Sequence, residues 1–591
     1  MIDGHDFSKL PRAARSRLRF RQYWLLAVCA TGALVGSQAC GAGSDAANGQ
    51  AGNAVGGAGA PASAGNAGVA AAAGSSSAGA NSTLGGTAGA LGIAGALGTA
   101  GTATGGAAAG GGPPLNEGDN VLERNHHPSR DGQFVQPKLT RAALAAMAPD
   151  TGFAANFAGA MWASPVYITN GPGGKGAFFA ATTDNNVFAL DEVSGQILWT
   201  YKLGPAPQNT GVPCGQVHPL GILSTPAIDP VTRTIYVASA IGTDTIARHE
   251  VHAISIETGK SLPGWPVDTT GTKSGNTTFN APPQNQRSAL SLLAGNLYVA
   301  YGGHAGDCGN YHGWVIGIDT ADPTKRGAWA TLGQGEAIWA SGGMASDGTS
   351  IFAVTGNSTV GAGDRGTSDG EQVVRLGALA TFTRSDQNLY FPTTWKQMDS
   401  QDADLGASNP VYFSIPGATP TSYIAAVAKD GHFYLLNAAN LGGMGGHVLT
   451  LAVATGAMSV KTSPTAYRTA KGVHVVLGVD ANAQCPGGVV PGRSMISVLL
   501  TAGSPPTAKV EWCSPFQGEA GPISTSTDGS NDALVWYVNN DRLMAVDGDT
   551  GKTLYTSQNT CSGVRKWSSA IAVKGRIIAG GDGHLCSWSV H

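Results

Sequence analysis

The sequence predicts an all-β domain, an eight-bladed propeller of four-stranded antiparallel blades behind a disordered linker, with a seven-bladed ring as the alternative. Three observations predict it. Residues 41–114 contain no Lys, Arg, His or aromatic residue and are nearly all Gly, Ala, Ser, Thr and Asn. Beyond Pro149 a strand–turn–strand pattern recurs along the chain. Each of these hairpins is preceded by a second pair of strand-like runs, and four short strands per repeated unit is the signature of a propeller blade.

The chain has 591 residues, with 35 Lys and Arg against 38 Asp and Glu and a formal charge of −3. A charge this near neutral excludes a general electrostatic nucleic-acid binder. No run of 18 or more apolar residues exists, which excludes a bundle of transmembrane helices.

Residues 1–39 read as a signal peptide. Lys9, Arg12, Arg15, Arg17, Arg19 and Arg21 form a basic segment, and the apolar run from Tyr23 to Gly36 is too short to span a bilayer. Ser37, Gln38 and Ala39 place small residues where a signal peptidase reads them, and Cys40 follows. This resembles a bacterial lipoprotein leader, which implies lipidation of Cys40. Ser37 and Gln38 stand where that family has Leu and a small residue, and Cys29 is the weaker second site. Plain secretion is the alternative. Residues 40–114 are then a lipid-anchored low-complexity linker, too poor in apolar surface to offset the cost of ordering. As a Gly-rich coil it spans roughly 45–50 Å.

Residues 115–160 read as a lead-in segment, and 161–591 as the propeller. The hairpin Ala189-Leu190-Asp191-Glu192-Val193-Ser194-Gly195-Gln196-Ile197-Leu198-Trp199 recurs as Ala545-Val546-Asp547-Gly548-Asp549-Thr550-Gly551-Lys552-Thr553-Leu554-Tyr555. A third copy runs from Ala253 to Lys260 and leads to Trp265. The Asp or Ser side chain can bond turn amides, Gly accepts positive φ, and the final aromatic can wedge against a neighbouring sheet. Eight third strands can be counted, the last at Leu585–Trp588. The eighth unit lacks an outer strand, so Phe153–Ala160 is expected to supply it and close the ring.

These repeats resemble the pyrroloquinoline-quinone (PQQ) enzyme repeat of quinoprotein propellers and their many non-catalytic relatives. Arg130-Asp131-Gly132 with Leu139-Thr140, the stretch from Gly303 to Trp314, Thr355-Gly356-Asn357, Asp402 to Gly406 and Lys429-Asp430-Gly431 resemble an uncharacterised bacterial exported lipoprotein branch of that family. The resemblance implies a quinone cofactor held beside two adjacent cysteines, a Ca²⁺ ion and an Asp base. No Cys-Cys pair occurs here, and neither the calcium ligands nor the base can be placed residue by residue.

Six cysteines follow Cys29 and Cys40. An even number in an exported domain favours disulfides. The strand assignment places Cys214 and Cys308 on one face, Cys485 and Cys513 around the sixth unit, and Cys561 and Cys586 around the eighth. The expected pairs are 214–308, 485–513 and 561–586. A cysteine metal site is the rival reading, but no C-x-x-C spacing exists.

The richest polar cluster is His304, Asp307, Tyr311 and His312 in the loop of the third unit. It can hold a metal or a sugar, or bond to itself and to backbone. Trp339 either lines the channel or packs between blades. Arg287, beside Gln284 and Gln286, is expected to satisfy loop carbonyls. Asp399, Asp402 and Asp404 resemble an oxygen-rich cation loop but lack EF-hand spacing. His249 and His252 are three apart on a strand and so face opposite sides. Neither the zincin nor the P-loop motif occurs.

The reading is a monomeric cell-envelope lipoprotein, at the outer membrane or cell surface, displaying a non-catalytic propeller for protein or glycan binding. It touches the membrane through its lipid alone, and a periplasmic or secreted location is the alternative. No cofactor is expected. The alternatives are a PQQ-dependent dehydrogenase using Ca²⁺ and a cation-dependent hydrolase with its site at the channel mouth.

Overall fold

The computed structural model describes residues 118–359, 363–456, 462–518 and 520–590. The leader, Cys40 and the whole linker lie outside the described residues. The fold is a propeller built almost wholly of antiparallel sheets. Among the described residues, eight sheets of four or more strands follow one another along the chain. In the first, Val166–Ile168, Ala177–Ala181, Asn186–Asp191 and Ile197–Lys202 pair in sequence order from the inner edge to the outer.

Alternate side chains of each inner strand pack against the sheets on either side. In the second sheet Ile235 and Val237 pack with Phe179 of the first, while Tyr236 between them packs with Leu297 and Trp314 of the third. The same interleaving joins third to fourth through Tyr298 and Val374, fourth to fifth through Phe352 and Ile424, fifth to sixth through Leu435 and Val475, and sixth to seventh through Val476 and Val535. One further cluster holds Trp536 of the seventh sheet, Trp588 of the eighth and Phe178 and Phe188 of the first. Last and first sheets are therefore packed together, and the ring has no free face.

The repeated hairpin motif acts between sheets as well as within them. Asp191 Oδ1 accepts from Ser194 N (2.8 Å) and Ser194 Oγ (2.8 Å), and Asp547 Oδ1 accepts from Thr550 N and Thr550 Oγ1 (both 3.0 Å). The turn glycine that follows is where the neighbouring sheet's aromatic docks. A Cβ on Gly259 would lie 2.7 Å from the Trp199 indole, and one on Gly551 would lie 2.6 Å from Trp512. Trp199 Nε1 donates to Ile256 O (2.8 Å), and Trp512 Nε1 to Gly548 O (2.9 Å). Outer-strand Trp and next-sheet Gly are thus two halves of one joint.

Ring closure differs from expectation. The outer strand of the eighth sheet is split into Met147–Pro149 and Ala155–Asn156, which pair with the two ends of His584–Val590. It begins earlier than Phe153, and residues 157–160 already lead into the first sheet. Ala-rich sequence around Met147 carries no alternation to read, and Pro149 is tolerated because an outermost strand needs donors on one side only.

A feature whose position the sequence did not reveal fills the axis. Residues 121–136 rise through the ring, turn and descend, bonding to the inner edge of every sheet. Val121 exchanges two backbone bonds with Tyr167, and Leu122 O accepts from Ile228 N (2.7 Å). Arg130 Nη2 donates to Leu290 O (2.9 Å). Pro128 O, Ser129 O and Asp131 O accept from Ser346, Tyr412 and Ala466 N. Gln133–Val135 runs parallel to Ile523–Ser526, and Gln136 Oε1 accepts from Gly575 N (2.7 Å). The plug buries two arginines almost completely, and each is satisfied. Arg124 donates to Ser164 Oγ, Trp567 O and Ser463 Oγ. Arg130 pairs with Glu123 (2.8 Å) and donates to the carbonyls of Arg124 and Met344.

Candidate functional site

In such sheets the loops joining second to third strands, and those leading from an outer strand to the next inner strand, emerge on one face. At the centre of that face the plug's Arg124 meets the Trp567 carbonyl, and around it the loops assemble the mouth of the axis.

The mouth is crossed by a row of alternating cations and aromatic rings. The Arg287 guanidinium lies 4.9 Å from the Trp339 ring and 4.5 Å from the Trp567 ring. Trp567 packs on Trp162 with centroids 4.5 Å apart, and Arg565 covers Trp162 at 5.2 Å while pairing with Asp582. At the other end Lys429 lies 5.1 Å from the Trp339 ring and pairs with Asp402 (3.0 Å) and Asp404. Such cation–π pairs strengthen as the groups leave water. The three Trp and Arg287 are half-buried.

Arg287 Nε donates to Trp339 O (2.7 Å), as expected of a residue satisfying loop carbonyls. Its Nη1 and Nη2 meet no protein acceptor among the described residues, and neither is sealed from solvent. Burial lowers its pKa to about 10, against the opposing pull of Asp307 and Asp404, so it is cationic at neutral pH. Trp339 Nε1 is buried without a partner, and a Cβ on Gly356 would stand 3.1 Å from it and 2.6 Å from Asp404 Oδ1. Glycine there leaves open the space between an orphan donor and a carboxylate.

The expected cluster in the third sheet's loop divides. Tyr311 donates to Asp307 Oδ1 (2.8 Å) on the Arg287 side, and burial followed by the charge of Asp404 raises the Asp307 pKa. The two histidines do not converge. His304 Nε2 bonds Pro282 O (3.1 Å), whereas His312 Nδ1 bonds Thr331 O (3.0 Å). Burial holds both below the ordinary histidine range, His304 at about 4. They fasten loops. His249 and His252 also part, to Ala281 O and Glu250.

The three aspartates do not form one cation cage. Asp399 Oδ1 accepts from Ser358 N (2.6 Å) and Asp404 Oδ1 from Asn357 N (2.8 Å). The Lys429 ammonium stands between Asp402 and Asp404, where a cation would sit. Burial opposes its charge, but the two carboxylates outweigh this and raise its pKa. Asp402 is pushed up to about 6 by burial and then by Asp404.

Bridges join Cys214 to Cys308, Cys485 to Cys513 and Cys561 to Cys586, at sequence separations of 94, 28 and 25. None is a bridge between adjacent residues. Together with Lys429 at the acidic loop and Arg287 covering two indole faces, this means the residues present do not reproduce the quinone and calcium setting that the repeat resemblance implies.

Trp162, Trp567, Arg565 and Lys429 were not singled out as site residues in the sequence. A signal existed. Trp162-Ala163-Ser164, Trp339-Ala340-Ser341 and Trp567-Ser568-Ser569 are one tripeptide pattern repeated before three inner strands. Irregular loop lengths hid it.

No known family signature matches the sequence, and no curated protein matches it. Among solved structures, the chain is similar to the quinohemoprotein alcohol dehydrogenase from Comamonas testosteroni, at 14% identity and a TM-score of 0.55 over 80% of each chain. It is similar to the quinohemoprotein alcohol dehydrogenase ADHIIG from Pseudomonas putida HK5, at 15% identity and 0.55 over 80% of this chain and 81% of that one. A europium-containing methanol dehydrogenase matches at 14% identity and 0.53, over 79% and 91%. Likeness at this identity establishes a quinoprotein-like propeller fold, and function must be argued from the site.

Proposed function

We propose that this chain is a cell-envelope recognition propeller that binds, without catalysis, a protein or glycan through a carboxylate on the ligand. The observation that carries the reading is Arg287, a cation held between two indole rings with its terminal nitrogens unclaimed by protein. A planar guanidinium matches a carboxylate with two parallel hydrogen bonds. The Trp rims supply apolar surface beside it. The plugged axis confines a ligand to the mouth.

The export reading supports display. Asn120 Oδ1 accepts from Thr169 N (2.7 Å) and Asp119 Oδ1 from Lys574 N (3.0 Å), both at the ends of inner strands away from the mouth. Loss of detergent partitioning in Cys40→Ala tests the anchor.

The second reading, a PQQ-dependent dehydrogenase, is favoured by the three dehydrogenase neighbours. One experiment separates the two. Purified protein is heated with oligouronate, an acidic peptide and their neutral analogues, and separately supplied with PQQ, Ca²⁺, alcohol and an electron-accepting dye. Stabilisation by an acid and not its neutral analogue supports recognition. Sustained dye reduction overturns it.

A further inference from the structure

The eighth sheet carries a second cluster, independent of Arg287. Cys561 is buried, and its bridge partner Cys586 closes the sequence His584-Leu585-Cys586. His584 Nε2 lies 3.9 Å from Cys561 Sγ, and one ligand atom from each of the three residues lies within 4.8 Å of the others. No other group of three His, Cys, Asp or Glu among the described residues meets that condition.

The imidazole is placed as a ligand is. Its Nδ1 bonds the Asp582 carbonyl (2.9 Å), an acceptor only, so Nδ1 carries the hydrogen and Nε2 turns its lone pair towards the sulfurs. Room for the ring comes from Gly581, where a Cβ would stand 2.9 Å from Nε2. Tetrahedral zinc with bonds of about 2.0–2.3 Å separates its ligands by roughly 3.5–3.8 Å. The present Cys561–His584 spacing already falls close to that edge, and the two sulfurs need to part.

We propose that Cys561, His584 and Cys586 form a redox-gated site for a thiophilic divalent metal, Zn²⁺ in the first instance. In the oxidised chain the sulfurs are bonded to each other and the site is closed. A dithiol reductant opens it: the Cys561–Cys586 bond breaks, two thiols form here and the reductant becomes a disulfide. Zn²⁺ then binds both sulfurs and His584 Nε2 with release of two protons, leaving its fourth position to water. The C-x-x-C spacing that marks many zinc sites is absent because the fold brings the ligands together: Cys561 arrives from the loop before the eighth sheet and His584-x-Cys586 from its third strand.

The site has a path to the mouth. Asp582, whose carbonyl orients His584, also holds Arg565 against Trp162 through its carboxylate.

The test is Co²⁺ titration of the full chain before and after dithiol reduction, read by thiolate-to-cobalt charge transfer in the near ultraviolet and by ligand-field bands in the visible. The expected result is one saturable site of tetrahedral character in the reduced protein, displaced by one equivalent of Zn²⁺, and none in the oxidised protein. His584→Ala, verified as folded and bridged before reduction, should weaken binding at least tenfold. A Cys561→Ser, Cys586→Ser double variant, which keeps the other four folded-domain cysteines, should abolish the charge-transfer band. Absence of saturable binding in reduced wild type overturns the proposal. So does unchanged affinity in His584→Ala or persistence of the band in the double variant.

Discussion

Replacing Arg130 with Met tests whether the axial plug holds the ring. The guanidinium is wholly buried, pairs with Glu123 (2.8 Å) and donates to the carbonyls of Arg124, Leu290 and Met344 and to Ser291 Oγ. Met preserves most of the stem's volume, so the loss is chiefly polar. Breaking a buried ion pair by removing one partner costs about 3–5 kcal/mol, because the remaining charge is left uncompensated. Carbonyls orphaned in the axis add to this, about 1 kcal/mol or more each where no water replaces the donor. With one of the three carbonyls left dry and water reaching the others, a total of about 4–6 kcal/mol follows. For a folded chain on the order of 460 residues the unfolding entropy is about 1 kcal/mol per kelvin, so Tm should fall by about 4–6 °C in scanning calorimetry. The variant Glu123→Gln, Arg130→Met, which also removes the charge of the carboxylate that loses its arginine, should recover about 2 kcal/mol. A fall of less than about 1 °C in the single variant, or a double variant no more stable than the single, would refute the reasoning.

Further tests address the joints and the pH dependence. Gly259 and Gly173 share a φ of +64°, but a Cβ meets Trp199 at 2.7 Å on the first and nothing within 4 Å on the second. Gly259→Ala should therefore destabilise the fold more than Gly173→Ala, by about 1–3 kcal/mol beyond the shared backbone strain, as read by thermal or denaturant unfolding; equal effects would remove the Trp–Gly joint. Burial, reinforced by the charge of Asp369, pushes the Glu336 carboxyl up to about 7 against the hydrogen bonds from Ser368, Asp369 and Gly333. The folded state thus holds this proton more tightly than the unfolded state does. Its ionisation erodes stability as pH rises from about 4.5 to 7, with the full penalty above 7. Glu336→Gln should be more stable than wild type at pH 8 by up to about 3 kcal/mol and not at pH 4; parallel stability profiles would contradict this.

Much of the fold was legible because the sheets are buried on both faces, so runs such as Ile235-Tyr236-Val237-Ala238 are unbroken apolar strands between turns. The cysteine pairs followed from the same strand order. The first part of the closing strand was missed because Met147-Ala148-Pro149 carries no pattern, whereas Ala155–Asn156 falls inside the expected span. The plug was invisible because many of its bonds are backbone to backbone, which no side chain advertises, and because Arg124 and Arg130 read as surface charges until an axis exists to bury them. At the mouth, Arg287 and Trp339 stood out individually, but their juxtaposition with Trp567, 280 positions along from Arg287, is a property of the ring. His304 and His312 drew attention by composition and proved to be loop fasteners.

The most direct test of the recognition reading is calorimetric titration of an oligouronate and an acidic peptide into wild type, Arg287→Lys and Arg287→Gln. Hydrogen bonds between charged groups contribute about 1.5–3 kcal/mol, which corresponds to roughly 10–100-fold in affinity. Wild type should bind at least one acid saturably, Arg287→Lys should bind it more weakly for want of the two-pronged fit, and Arg287→Gln should lose at least tenfold. Equal affinity in wild type and Arg287→Gln, or no binding of either acid by the wild-type chain, would contradict the account.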